Sequence, residues 1–273
     1  MNAEDRTVKD FGDQWLRYSD NEGYYGSLGL FSDILSPFLR PENLRDCRVA
    51  EIGSGAGRIV NMLLESGVQH VVAVEPSDAF AVLARNIRNS EKVTCLKMTG
   101  DQLPAYGDLD YVFSIGVLHH IPDPKPVVEA AYRALRSGGH FFVWLYGKEG
   151  NEFYLAFINP LRVITRHLPH FALAGFVWMI YYPLHLYIRL CHRFPLPLKR
   201  YLLSVFGKMS PEKRRLIIYD QLNPDYAKYY TRQEAIKLLK DGGFMDVRIY
   251  HRHEYSWTVI GTKPDPSNEQ KRD

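Results

Sequence analysis

The chain has little cysteine: Cys47, Cys95 and Cys191 are the only thiols in 273 residues. Three thiols cannot build a disulfide framework. No pair has the short spacing of a metal-ligand set, so no metal is expected. The scarcity fits a reducing, cytoplasmic compartment. Internal repeats and low-complexity tracts are missing, which excludes solenoid and fibrous architectures. Residues 1–15 are polar and acidic and have no apolar stretch of the export-signal kind, so secretion is not expected. Charge of neither sign dominates: 34 Lys/Arg stand against 31 Asp/Glu. At 46% hydrophobic the chain is too apolar for a disordered one, and its length suits one large domain or a domain with a sizeable addition.

The charge is nevertheless uneven. Residues 150–215 hold ten Lys/Arg and two Asp/Glu, a local +8 that leaves −5 for the rest. A split this sharp points to a local anionic partner.

Short apolar runs alternate with helical spacing. Strands are predicted at 48–52, 71–75, 93–98, 110–115 and 140–146. Helices are predicted up to about 66, over 77–88, and over 124–136, the last closed by Gly138-Gly139. Such alternation indicates βαβ units and a parallel sheet. The rhythm breaks over 150–215 and resumes with a helix at 231–241, where Thr231 and Glu234 form a capping box and Gly242-Gly243 the stop. Strands at 245–251 and 255–262 are spaced to pair as an antiparallel hairpin, and the polar tail 264–273 is expected to fray.

The most informative stretch is Ala50-Glu51-Ile52-Gly53-Ser54-Gly55-Ala56-Gly57, between the first strand and first helix. Glycines there allow a tight turn and close approach to a ligand. Glu75 lies 18 residues past Gly57, where a carboxylate can accept two hydrogen bonds from a ribose diol. The spacing is G-x-G-x-G and not the G-x-G-x-x-G of a dinucleotide site, since Arg58 stands where the third glycine would be. Glu51 just before the first glycine would repel a pyrophosphate and favour a cationic ligand.

With these features the chain resembles the class I S-adenosylmethionine-dependent methyltransferases of the small-molecule type. The likeness covers roughly 46–146 and 231–262. It rests on E-I-G-S-G-A-G-R (51–58), V-V-A-V-E-P-S (71–77), G-D-Q-L-P (100–104), Y-V-F-S-I-G-V-L-H-H-I-P-D-P (111–124) and L-R-S-G-G-H-F-F-V (135–143). It implies a Rossmann-like α/β sheet of seven mostly parallel strands with the last antiparallel, and S-adenosylmethionine as cofactor. It also implies roles. Glu51 with Gly53, Ser54, Gly55 and Gly57 would hold the methionine end. Glu75, followed by Pro76, would bind the ribose. Asp101 would bind the adenine amino group with Gln102 beside it, and Ser114 and Gly116 would line the pocket near the sulfonium.

His119 and His120 follow the fourth strand at the rim where open α/β sheets bind ligands. Either is a candidate base or orienter for a hydroxyl acceptor. Residues 1–45 read as a lid over the cofactor, with Tyr18 and Trp15 among its aromatics, and 46–149 with 216–263 read as the core. Tyr226, Tyr229 and Tyr230 are further candidates for the mouth of the site.

The helical insertion 150–215 is apolar and basic. Over 171–191 it has one formal charge, Arg189, and Pro183 interrupts it. Its composition suits an interface better than a lipid core, and three readings stay open: contact with an anionic membrane, a helical cap or homodimer element, or a bilayer span. The expected reaction is methyl transfer, foremost to oxygen, on a small lipophilic acceptor, with no nucleic acid expected. The alternatives are a cofactor-binding, membrane-docked module without transfer and, further off, an NAD(P)-binding oxidoreductase.

Overall fold

Short valine-rich runs set the sheet. In the computed structural model, which describes residues 3–87, 90–165, 168–223 and 226–266, β1 (Arg48–Ile52), β2 (His70–Val74), β3 (Val93–Leu96), β4 (Leu109–Ile115) and β5 (Leu135–Tyr146) run parallel. The expected fraying beyond residue 266, and Arg88 and Arg166, lie outside the described residues. β1 and β2 are buried almost throughout, as strands covered by helices on both faces must be. β6 (Met245–Arg252) and β7 (Ser256–Thr262) complete seven strands in the order β3-β2-β1-β4-β5-β7-β6, with β7 antiparallel to both neighbours. This is the α/β sheet expected from the sequence.

Helices cover the two faces. α1 (Ala3–Arg17) and α2 (Leu28–Leu35) precede the sheet, α3 (Arg58–Glu65) and α4 (Phe80–Asn86) follow β1 and β2, and α5 (Lys125–Ala134) precedes β5. Phe31, Met62, Phe113 and Phe142 centre the core on the α2–α3 side. Val112, Val128, Phe141 and Ala235 centre the other. Each is buried, and truncating a core side chain of this size costs roughly 2–5 kcal/mol.

Several boundaries differ from the sequence pattern, β3 ending at Leu96 among them, and two have a clear cause. α5 ends at Ala134, because Leu135 is extended and pairs with Leu109. Gly138-Gly139 therefore caps no helix. A Cβ on Gly139 would lie 2.9 Å from the Leu109 carbonyl oxygen, so the residue serves the irregular start of the β4–β5 ladder. α4 begins at Phe80 and not at 77, because Ser77 is tied by its N–H and hydroxyl to the Glu75 carboxylate.

Among the described residues the interval after β5 holds the α-helices α6 (Glu152–Thr165), α7 (His170–Arg193), α8 (Lys199–Ser204) and α9 (Pro211–Leu222). They share a cluster of their own around Leu173, Val177, Cys191, Phe206 and Tyr219. α7 runs through Pro183, contrary to the break expected there. A proline removes one backbone donor, and buried Leu173, Val177, Ile188 and Cys191 on either side hold the helix together. α10 (Arg232–Asp241) then begins at the Thr231–Glu234 capping box.

Candidate active site

The sheet order reverses between β1 and β4, and there the carboxyl ends of β1, β2 and β4 open a crevice. The glycine loop fills its floor. The N–H groups of Gly53 and Ser54 donate to the Val74 carbonyl at 2.8 and 2.9 Å, folding the loop back on β2. Gly53 has φ +78°, and a Cβ on it would meet Val117 Cγ2 at 2.4 Å. Only glycine fits there. Gly57, at φ +82°, starts α3.

Two buried acids flank the loop. Glu75 accepts from Gly55 N at 2.7 Å on one oxygen, and from Ser77 N at 2.9 Å and the Ser77 hydroxyl on the other. A carboxylate has about four acceptor sites, so Glu75 ties the loop to β2 with one site left for a ribose hydroxyl. Glu51, also buried, has an oxygen, Oε2, with no hydrogen-bond partner among the described residues. Burial pushes its carboxyl up to about 7, partly offset by Ser54 and Arg58, while Glu75 adds to the rise. A buried, unpartnered carboxylate beside a glycine loop is a place for a cation.

Above the loop lies a cavity of about 500 Å³. Its wall brings together Glu51, Gly53, Ser54, Gly55, Glu75, Pro76, Asp101, Gly116 and His120. Gly57, Gln102, Ser114, His119 and Tyr18 do not line it. Ser114 is wholly buried in β4, Gln102 is exposed, and Tyr18 stands against Tyr219. From the N-terminal segment it is α1 that reaches the loop. A Cβ on Gly55 would lie 3.0 Å from Trp15 Nε1, and one on Gly12 would lie 3.1 Å from Ser77 Cβ. Thr7, Phe11, Gln14 and Trp15 of α1 line the cavity.

The two histidines differ. The His119 ring is fully buried against Tyr146, at 3.8 Å between centroids, and both its nitrogens are without a partner among the described residues. Burial, reinforced by His120 and Arg162, holds it well below an ordinary histidine, so it is neutral and away from the cavity. His120 Nδ1 lies 3.0 Å from the Tyr226 carbonyl. That oxygen can only accept, so Nδ1 carries the proton and Nε2 holds the basic lone pair. Burial lowers the His120 pKa, and the Asp220 charge and the Tyr226 contact offset part of it.

A polar network that sequence reading missed completes the wall. Asp220 of α9 accepts from Gln14 Nε2 at 2.9 Å and from the Tyr146 hydroxyl at 3.1 Å. Gln221 donates to that same hydroxyl at 2.7 Å and accepts from Tyr154 and Tyr229 at 2.8 and 3.0 Å. The one available signal was an aspartate set among Leu216, Ile217, Ile218, Tyr219 and Leu222. Of the tyrosines near 226–230, Tyr229 lines the cavity and Tyr230 is buried in the core. Beyond the network the wall is mainly apolar, with Ile180 and Leu184 of α7, Leu202 of α8, Phe206, and Leu216 and Ile218 of α9, and it also carries the polar groups of Asn151, Tyr201, Arg252 and Tyr255.

The residues present fit S-adenosylmethionine: the unpartnered Glu51 oxygen suits its ammonium, the glycine loop leaves room for close approach, and Glu75 and Asp101 stand at the ends of the crevice where ribose and adenine would lie. Comparison with known proteins agrees. Residues 50–143 match a family model described as a methyltransferase domain. Over 123 residues the chain is 32% identical to a tRNA U34 carboxymethyltransferase of Pseudoalteromonas translucida, covering 44% of this chain and 38% of that protein. A protein of the same name from Vibrio cholerae is 29% identical over 124 residues, again 44% of this chain and 38% of the relative. The chain thus spans less than half the length of these curated relatives. The fold of magnesium protoporphyrin IX methyltransferase from Synechocystis, solved with S-adenosylhomocysteine bound, superposes with a TM-score of 0.54 at 15% identity over 95% of this chain and 97% of that one. A methyltransferase structure from Thermotoga maritima gives 0.52 at 17% identity over 93% and 99%. Residues 50–143, which carry the glycine loop, thus resemble a methyltransferase domain, and the sheet built around them has the fold of S-adenosylmethionine-dependent methyltransferases.

Proposed function

We propose that the protein transfers a methyl group from S-adenosylmethionine to a hydroxyl of a small, lipophilic molecule. One observation carries this reading: the cavity that begins at the glycine loop continues into an apolar chamber lined by α7, α8 and α9. A chamber of that chemistry favours an apolar acceptor body, and the polar network at its wall can orient one reactive group.

The cofactor supplies an electrophilic methyl carbon on a sulfonium. The chain aligns the acceptor and handles its proton. His120 Nε2 accepts the proton of the acceptor hydroxyl while Nδ1–H stays on the Tyr226 carbonyl. The carboxylate of Asp220, held by Gln14 and Tyr146, stabilises the imidazolium that results. Glu51 and the loop backbone hold the methionine end, Glu75 a ribose hydroxyl, and Asp101 the adenine edge. α1 covers this end and keeps water out.

The test is transfer of labelled methyl from S-adenosylmethionine to fractionated cell extracts. Label in the organic-phase metabolites supports the reading. A second reading has its own support. The curated relatives are named for action on tRNA, and the helices after β5 are basic. The shared segment, however, spans the cofactor half and leaves the acceptor chamber unmatched. Label in the tRNA fraction would favour that second reading.

A further inference from the structure

We infer that the outer faces of α6 and α7 dock on an anionic lipid bilayer, with α7 lying in the plane of the interface. This goes beyond the methyl-transfer reading and does not depend on it. α7 is 24 residues, about 36 Å of helix. Phe171, Trp178, Tyr182, Leu186 and Leu190 recur at four- or seven-residue spacing, and all are exposed. Phe171 is 80% exposed, and on α6 Phe153 and Phe157 are 74% and 78% exposed. Side chains of this size left in water as continuous stripes mark an interaction surface.

Charge chooses the occupant. α7 has no acidic residue, and α6 has one, Glu152. Arg189 and Arg193 are exposed at the end of the α7 stripe, and the Arg215 guanidinium lies 4.2 Å from the centre of the Trp178 ring. An apolar stripe with tryptophan and tyrosine on it and arginines at its edge matches the headgroup boundary of an anionic leaflet. A symmetric dimer through this face would set the same basic edge against itself. By length and composition alone the helix could cross a membrane. Its inner face argues against a span: Leu173, Val177 and Ile188 are buried, and Ile180 and Leu184 roof the cavity. A crossing α7 would take α9, with its charged Arg214, Arg215 and Asp220, into hydrocarbon.

The test is flotation of the full chain with vesicles of phosphatidylcholine alone or mixed with phosphatidylglycerol, at low and high salt. Binding to the mixed vesicles that weakens with salt is expected. Met179→Glu and Leu186→Glu, each at an exposed site, should weaken it by about tenfold with an unchanged melting temperature. The Arg189→Glu, Arg193→Glu double variant should remove most of the salt-sensitive part, about fivefold or more per arginine. Failure of the native chain to float with either vesicle, or equal flotation of all variants, would overturn the inference. So would a dimer in light scattering that Leu186→Glu dissolves.

Discussion

At the scale of single residues, the adjacent His119 and His120 part company because a 3-10 turn, Leu118–His120, points one ring into the core and one into the cavity. His120→Ala should lower kcat by about 10²–10⁴-fold and leave cofactor affinity in place, measured by steady-state rates and calorimetry. His119→Phe removes two unpartnered buried nitrogens, so its melting temperature should hold or rise and its rate should change little. Because burial lowers the His120 pKa, the acid limb of kcat/KM for the acceptor, measured at saturating cofactor, should fall below pH 6.5, and Asp220→Asn should move it lower still. Stability has the same sign. Both rings bind protons less readily in the folded chain than the ordinary value of 6.5, so the unfolded chain takes up more protons and stability declines as pH drops through 6.5. The places of Glu51 and Glu75 on the cavity wall were legible in the sequence, since both sit at strand ends beside the glycine turn. Asp220 was not, because its partner Gln14 is 206 residues away.

At the scale of elements, the strands and helices could be read because their apolar spacing follows the sheet and helix periods. The ends could not. Ser77 leaves its helix for the Glu75 carboxylate, and Leu135 leaves its helix for Leu109, both through contacts that local pattern does not encode. The glycine loop is the element most sensitive to change. Gly53→Ala would force a left-handed backbone onto alanine and drive its Cβ into Val117. A loss of roughly 1–3 kcal/mol in denaturant unfolding is expected, together with loss of cofactor binding. That the N-terminal segment reaches the glycine loop was legible as a region but not in its contact. Trp15 and Gly12 touch the loop and the β2 turn, whereas Tyr18 faces Tyr219.

At the scale of the whole molecule, one set of helices does two things. The inner faces of α7, α8 and α9 enclose the apolar chamber, and the outer faces of α6 and α7 stay apolar and exposed. The basic charge and apolar runs of this segment stood out in the sequence. That α7 roofs the cavity did not, since the packing of α7 on α9 joins stretches separated by an entire helix and two turns. The arrangement predicts that a lipophilic acceptor presented in anionic vesicles is methylated faster than the same acceptor in detergent, and that Leu186→Glu abolishes the difference while keeping the detergent rate. Initial rates in the two media check this.

The central claim is that Glu51 and the glycine loop form the cofactor's seat, and calorimetric titration with S-adenosylmethionine across pH tests it most directly. Since burial lifts the Glu51 carboxyl to about 7, affinity should tighten by about tenfold from about pH 5.5 to about pH 7 as the carboxylate forms to meet the ligand's ammonium, and Glu51→Gln should bind weakly with a flat profile. No saturable binding by the native chain, or one pH profile shared with Glu51→Gln, would contradict the account.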